Sequence, residues 1–275
     1  MKTKEIIIRD PFVLPYKNEY YMYGSRVGEQ TGFDVYKSTD IENWSEPKSV
    51  FEKHDGFWGT KDFWAPEVHL YNGKFYMFAS FCSDTRRRGT QILVSDKPDG
   101  SFEEWSDVVT PNDWECLDGT LWVEDGVPYM VFCHEWIQIK DGEVCAVRLS
   151  ADLKRSEGEP FVLWKASDAK WVVGFGEPDS GLNITDGPFL LKDKNGRLCS
   201  LWSSFCESGY ALGKAYSDNG KISGKWINEE EPLFKKDGGH GMCFETFNGE
   251  RLIALHINNS TAGKEHPVFI KAQDL

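Results

Sequence analysis

Asp186–Ser204, DGPFLLKDKNGRLCSLWSS, is the stretch that decides the fold. A short apolar run leads to Asn195-Gly196, and a second apolar run follows. Asn-Gly between two such runs signals a hairpin, because a type I′ turn needs positive φ at both central residues. Outward from this stretch the same phrase recurs. It reads DPFVLPYKNEYYMYGS from Asp10, APEVHLYNGKFYMFAS from Ala65, DGTLWVEDGVPYMVFC from Asp118 and HGMCFETFNGERLIALH from His240. The turns fall at Lys17-Asn18-Glu19, Asn72-Gly73, Asp125-Gly126 and Asn248-Gly249. A third strand is expected in each copy, at FDVYKST, TQILVSD, EVCAVRLS, YALGKAYSD and VFIKAQDL. A fourth is expected in the first four copies, at WSEPKSVF, WSDVV, FVLW and KWINEEEPLF. The anchors stand 55, 53, 68 and 54 residues apart. Four antiparallel strands repeated at about 50 residues mark β-propeller blades. The expectation is an all-β protein, a single five-bladed β-propeller over residues 1–275. Whether KEIII at 4–8 adds an outer strand to the last blade is left open.

Composition narrows the function. The net charge of −13 disfavours nucleic acid and anionic membrane as partners, which require basic surface, and favours a neutral or cationic ligand. No apolar run approaches the roughly 18 residues of a membrane span. Eleven tryptophans and eighteen phenylalanines can serve either a core or a sugar-binding cleft. The seven cysteines are odd in number and lack CxxC pairing, so they read as reduced thiols. The N-terminus MKTKEIIIRDPF does not read as a signal peptide. Together these give a cytoplasmic expectation, with secretion as the alternative if a leader was trimmed. No phosphate-binding loop or nucleotide fingerprint is present.

The first strand of each blade lines a propeller's channel, so the five anchors meet around one axis. They are Asp10, Ala65, Asp118, Asp186 and His240. An Asp before Gly or Pro is ordinary turn chemistry. Three gathered at one axis raise one another's pKa values at a cost in stability, which points to catalysis or a cation site. Glycoside hydrolysis needs such a set: a carboxylic acid for the leaving oxygen and a carboxylate on the opposite face of the sugar. A third carboxylate can keep the acid protonated near neutrality.

In order along the chain, RDPFV, WAPEVHLYNGKFYMF, LDGTLW, TDGPFL and GGHGMCF resemble glycoside hydrolase family 43, five-bladed propellers acting on arabinan and xylan. The resemblance spans all five blades. It implies an inverting hydrolase of arabinose- or xylose-containing oligosaccharides. Asp10 would be the general base, Asp118 the residue tuning the acid's pKa, and Asp186 the general acid. Trp64 would wall the sugar pocket. His240 would stand near the axis beside a possible structural calcium, contacted through water, with no cofactor required for the reaction. The family's acid is usually glutamate in a T-E-G-P or T-E-A-P phrase, whereas position 186 is aspartate. A shorter acid reaching the bond, Glu177 from the GFGEPDSG loop as substitute, or a lost acid are the three readings. The last would leave a catalytically weak carbohydrate-binding propeller.

DWECLD at Asp113–Asp118 is similar to the W-E-C-P-D phrase of invertase-type propellers, with Glu115 as acid/base. Their N-D-P-N-G nucleophile motif is missing, which counts against that reading. Glu67 reads as a strand or rim residue. Phe33, Trp58, Trp64, Trp114, Trp136, Phe175, Trp202 and Phe205 fall at strand ends or loops, where flat rings can stack on sugars or fill the space between blades. Trp64, Trp114, Phe33 and Trp202 are the chosen substrate-binding candidates. TRRRG at Thr85–Gly89 follows a strand and could overhang the cleft, with a solvated loop as the default reading. A metal-holding scaffold built on the three aspartates and His240 is a further alternative. Pentose, linkage and oligomeric state are not written in the sequence.

Overall fold

The computed structural model describes residues 1–28, 30–177, 179–272 and 275, and its strands form five antiparallel sheets. Blade one holds β1 (Ile8–Tyr16), β2 (Glu19–Arg26), β3 (Phe33–Ser38) and β4 (Lys48–Phe51). Blade two holds β5 (Lys61–Tyr71), β6 (Lys74–Cys82), β7 (Gly89–Ser95) and β8 (Glu103–Val108). Blade three holds β9 (Cys116–Glu124), β10 (Val127–His134), β11 (Glu143–Leu149) and β12 (Ser156–Lys165). Blade four holds β13 (Asp186–Lys192), β14 (Leu198–Cys206), β15 (Gly209–Ser217) and β16 (Trp226–Asn228). Blade five holds β17 (Gly238–Glu245), β18 (Arg251–Ile257) and β19 (His266–Lys271). Within each sheet the strands pair in sequence order. Contacts β1–β5, β5–β9, β9–β13, β13–β17 and β17–β1 close the inner strands into a ring. This is the expected five-bladed propeller.

The hairpins follow two geometries. Lys17-Asn18, Asn72-Gly73 and Asp125-Gly126 have positive φ at both positions, as a two-residue I′ turn requires. In the Asn195-Gly196 and Asn248-Gly249 loops only the glycine has positive φ. Those strands are joined by five residues, and Asp193 Oδ1 receives the Asn195 and Arg197 amides in a local Asx cap.

Alternation along each strand sends side chains into the gaps between blades, where four apolar clusters form. Two sugar-stacking candidates belong there. Phe33 is fully buried at the start of β3, packed with Phe51, Phe63 and Phe81. Trp202 is fully buried between blades three and four against Trp164 and Trp171. It neighbours Ser203, which turns toward blade five, so alternation points the indole the opposite way. Neither ring can meet a ligand.

The N-terminal segment adds no strand to blade five. Thr3–Glu5 forms a 3-10 turn held to blade one, with Thr3 N–H donating to Glu42 O (3.2 Å) and Trp44 N–H to Met1 O (2.8 Å). Ile6 is buried in the adjoining core. Of the expected third strand VFIKAQDL, Gln273 and Asp274 lie outside the described residues.

Candidate active site

Each inner strand carries a bulge at the same place, and the residue in it has a left-handed backbone. These residues are Asp10 (φ 52°), Ala65 (47°), Asp118 (57°), Gly187 (50°) and His240 (51°). Pairing skips between Arg9 and Phe12 in β1 and between Asp186 and Phe189 in β13, the signature of a bulge. Blade four is therefore offset by one residue from the expected alignment. Its bulge residue is Gly187. Asp186 stands one position earlier, level with Arg9, Trp64 and Leu117, where it pairs with Ser203 as Arg9 pairs with Ser25.

A left-handed non-glycine residue is costly, and it persists where the surroundings fix it. Here the bulge turns its amide toward the preceding blade. Ala65 N–H donates to Ser25 Oγ (2.7 Å), Asp118 N–H to Ser80 Oγ (2.9 Å) and His240 N–H to Ser203 Oγ (2.8 Å). Asp10 N–H donates to His256 Nδ1 (3.1 Å), which links the last blade to the first. Blade three has Cys133 where the others have a hydroxyl or imidazole. There Asp118 Oδ2 itself receives Gly187 N–H at 2.9 Å. One carboxylate thus serves both as site residue and as interblade latch.

Asp10, Ser25, Asp118, Asp186 and His240 line one cavity of about 410 Å³ together with Arg9, Trp64, Leu117 and Tyr210. Burial works to raise Asp10, but His240, His256, Arg9 and the Ser25 hydroxyl outweigh it and hold this carboxyl below the usual range. His240 Nδ1 lies 3.2 Å from Asp10 Oδ1, and Ser25 Oγ–H donates to Asp10 Oδ2 at 2.5 Å. The His256 ring is driven down to about 4, chiefly by burial, so it is neutral. Its Nδ1 accepts the Asp10 amide, which leaves Nε2–H to face Asn259 Oδ1 at 3.2 Å. Arg9 Nη2 donates to the same oxygen at 2.5 Å.

Asp186 is the opposite case. Burial, then the nearby Asp118, raise it to about 7 against the pull of His240 and of Tyr210, whose hydroxyl donates to Oδ2 at 3.0 Å. Asp118 is raised as well, by burial first and by Asp10 second. One carboxylate is kept ionised and another kept protonated around the same cavity, the electrostatic division that acid/base cleavage requires.

The sequence profile of Glycosyl hydrolases family 43 matches residues 4–270. The chain belongs to that family. It is 28% identical over 146 residues to extracellular endo-α-(1→5)-L-arabinanase 1 of Bacillus subtilis, covering 49% of this chain and 45% of the relative. It is 21% identical over 243 residues to an extracellular exo-α-(1→5)-L-arabinofuranosidase of Streptomyces avermitilis, covering 84% and 49%. The chain thus spans about half the length of the curated relatives it matches. Among solved structures, an endo-arabinase from Bacteroides thetaiotaomicron VPI-5482 superposes with a TM-score of 0.93 at 40% identity. That match covers 100% of this chain and 97% of the other.

Within this family-43 frame, several expected site residues fall elsewhere. Glu177 is exposed and is not among the described residues lining the cavity that holds Asp186. Trp114 lies flat on His134 (4.1 Å, 10°), which covers one of its faces away from the cavity. Glu115 is occupied by Arg87 Nη1 (2.8 Å) and the Arg88 amide (3.0 Å). Glu67 is buried and pairs with His69 (3.1 Å). Trp64 alone of the four chosen aromatics lines the cavity. At the place expected for a structural calcium, His240 Nδ1 faces the Asp10 and Asp118 carboxylates (3.2 and 3.7 Å). No group of three or more His, Cys, Asp or Glu among the described residues is arranged for a metal.

Two groups at the site carry no catalytic motif of their own. Tyr210, read only as the start of a strand, is buried and bonds the candidate acid. Arg88, from the loop read as solvated, packs its guanidinium over Trp64 at 4.4 Å and is held by Asp62 (2.7 Å) and by Glu135. Glu135 is buried and raised to about 7, by burial first and with Asp186 adding to the rise. Long side chains from blades two and three thus back the Trp64 platform, and nothing in local sequence announces that.

Proposed function

We propose that this family-43 propeller hydrolyses glycosidic bonds in neutral arabinose-containing oligosaccharides with inversion at the anomeric carbon. Asp10 is the base. Its depressed pKa keeps it ionised, and it takes a proton from the attacking water. Asp186 is the acid. It holds a proton up to about pH 7 and delivers it to the leaving oxygen. Asp118 keeps that proton in place, and Trp64 offers a face to the sugar ring, fixed from behind by Arg88. The observation that carries the reading is that Asp10, held by His240 Nδ1 and the Ser25 hydroxyl, and Asp186, bonded by the Tyr210 hydroxyl, line one cavity. The arabinan-acting relatives favour arabinan over xylan as substrate, and two of them are extracellular enzymes, which favours export over the cytoplasmic location.

The test is hydrolysis of nitrophenyl pentosides and of arabino- and xylo-oligosaccharides by the wild type, Asp10→Asn and Asp186→Ala. The expected outcome is turnover of arabinosides that both variants lose, with folding and sugar binding intact in Asp10→Asn. Full turnover by Asp10→Asn overturns the assignment of the base. Sugar binding without turnover in the wild type would make the propeller a binding module. Dialysis against a chelator is expected to leave the rate unchanged, because the reading routes no step through a metal; a fall in Tm alone would reveal a structural cation at the axis.

A further inference from the structure

Three aromatic residues on the cavity's face of the propeller belong to none of the four interblade cores: Trp136, Phe175 and Phe205. They make a continuous ladder that begins at the acid. Tyr210, whose hydroxyl bonds Asp186, lies 5.3 Å from Phe205. Phe205 lies 5.2 Å from Phe175, and Phe175 lies 5.4 Å from Trp136. Tyr210 is buried, Phe205 and Trp136 are half-buried, and Phe175 is the most open of the four at 40%. The backbone beneath is tied down. Val173 N–H donates to Phe205 O (3.0 Å), Phe175 N–H to Leu182 O (2.8 Å), and Gln138 Nε2 holds the turn after Trp136 to Asp113 O (2.9 Å). Rigid aromatic faces open to solvent bind at low entropic cost.

We infer that this ladder is the binding track for the leaving-group side of a neutral pentose chain, several units beyond the bond that is cut. The inference rests on the proposed function. The acid protonates the leaving oxygen, so the departing chain lies on the acid's side, and the ladder starts at the acid's own hydrogen-bond partner. Sugar rings present flat C–H faces that pack on aromatic rings, and their hydroxyls stay in water. The net charge of −13 excludes a polyuronate as the favoured occupant.

The test compares kcat/KM on linear α-1,5-arabinopentaose with kcat/KM on nitrophenyl arabinofuranoside, which has no chain to lay on the track. In Phe175→Ala, and separately in Trp136→Ala, the ratio of the two is expected to fall about five- to tenfold. Phe175→Trp should restore it. An unchanged ratio in both alanine variants overturns the track. A second readout needs no turnover: calorimetric titration of arabinopentaose into Asp10→Asn, with and without Phe175→Ala. Weakening by a similar factor supports the track even if the chain hydrolyses no arabinoside, in which case only the functional reading fails. Equal affinity, or no binding at millimolar sugar, overturns the track itself.

Discussion

Asp186 holds a proton to about pH 7 because it is buried beside Asp118, and this sets the pH behaviour of the site. The protonated form is the competent acid, so kcat/KM should be level below neutrality and fall tenfold per pH unit above about 7. Glu135 is also raised to about 7, so the control is Glu135→Gln, which should keep the limb. Loss of the limb in that variant would assign the titration to Glu135 instead. Stability follows with a definite sign. The folded pKa of Asp186 lies above its unfolded value of 3.8, so its contribution is full below that value and is lost as pH rises through about 7. Asp186→Asn keeps the shape and removes the titration, so at pH 8 its Tm should exceed the wild type's by a few degrees. An equal or lower Tm there would show that the buried carboxyl carries no such cost. For Asp10 the sign is reversed: its contribution is present above 3.8 and is lost on acidification through its lower folded pKa.

The bulge on each inner strand is the element that aims the site, and blade four shows what it demands. A Cβ on Gly187 would stand 2.8 Å from both Cδ2 and Cγ of His240, and φ is already 50°. Gly187→Ala should therefore cost about 1–3 kcal/mol and lower kcat, since the displaced imidazole is the one that faces Asp10 and Asp118. Denaturant unfolding beside kinetics checks both parts; wild-type stability would mean that His240 yields freely. This element also shows how far sequence reading reaches. The hairpins, their order and the three aspartates were legible, because Asn-Gly turns and period-2 runs are local signals. The one-residue offset was not. By letter Asp186-Gly187 matches Asp118-Gly119, whereas the backbone puts Asp118 and Gly187 in the bulge. Phe33 and Trp202 were misplaced for a related reason: a strand-end aromatic reads the same whether it faces a cavity or the next blade. Arg88, Glu135 and Tyr210 reach the site from other strands and loops, so no local pattern marks them.

Across the whole molecule, each blade holds the bulge of the next. Ser80→Ala or Ser203→Ala leaves a buried amide, of Asp118 or His240, without its acceptor. Each should cost about 1–3 kcal/mol and also reduce kcat, although neither hydroxyl belongs to a group that transfers a proton. Loss of stability with kcat unchanged would separate the latches from the chemistry. The link between the two ends of the chain carries the same logic further. Asp10 lies in the first blade to leave the ribosome, yet its amide is caught by His256 and its carboxylate faces His240, both in the last. The residue assigned to activate water is thus made first and seated last. Until the fifth blade is synthesised and docks, the nascent chain has its proposed base but not the partners that seat and aim it, so competence for the proposed hydrolysis arrives in one step, with ring closure.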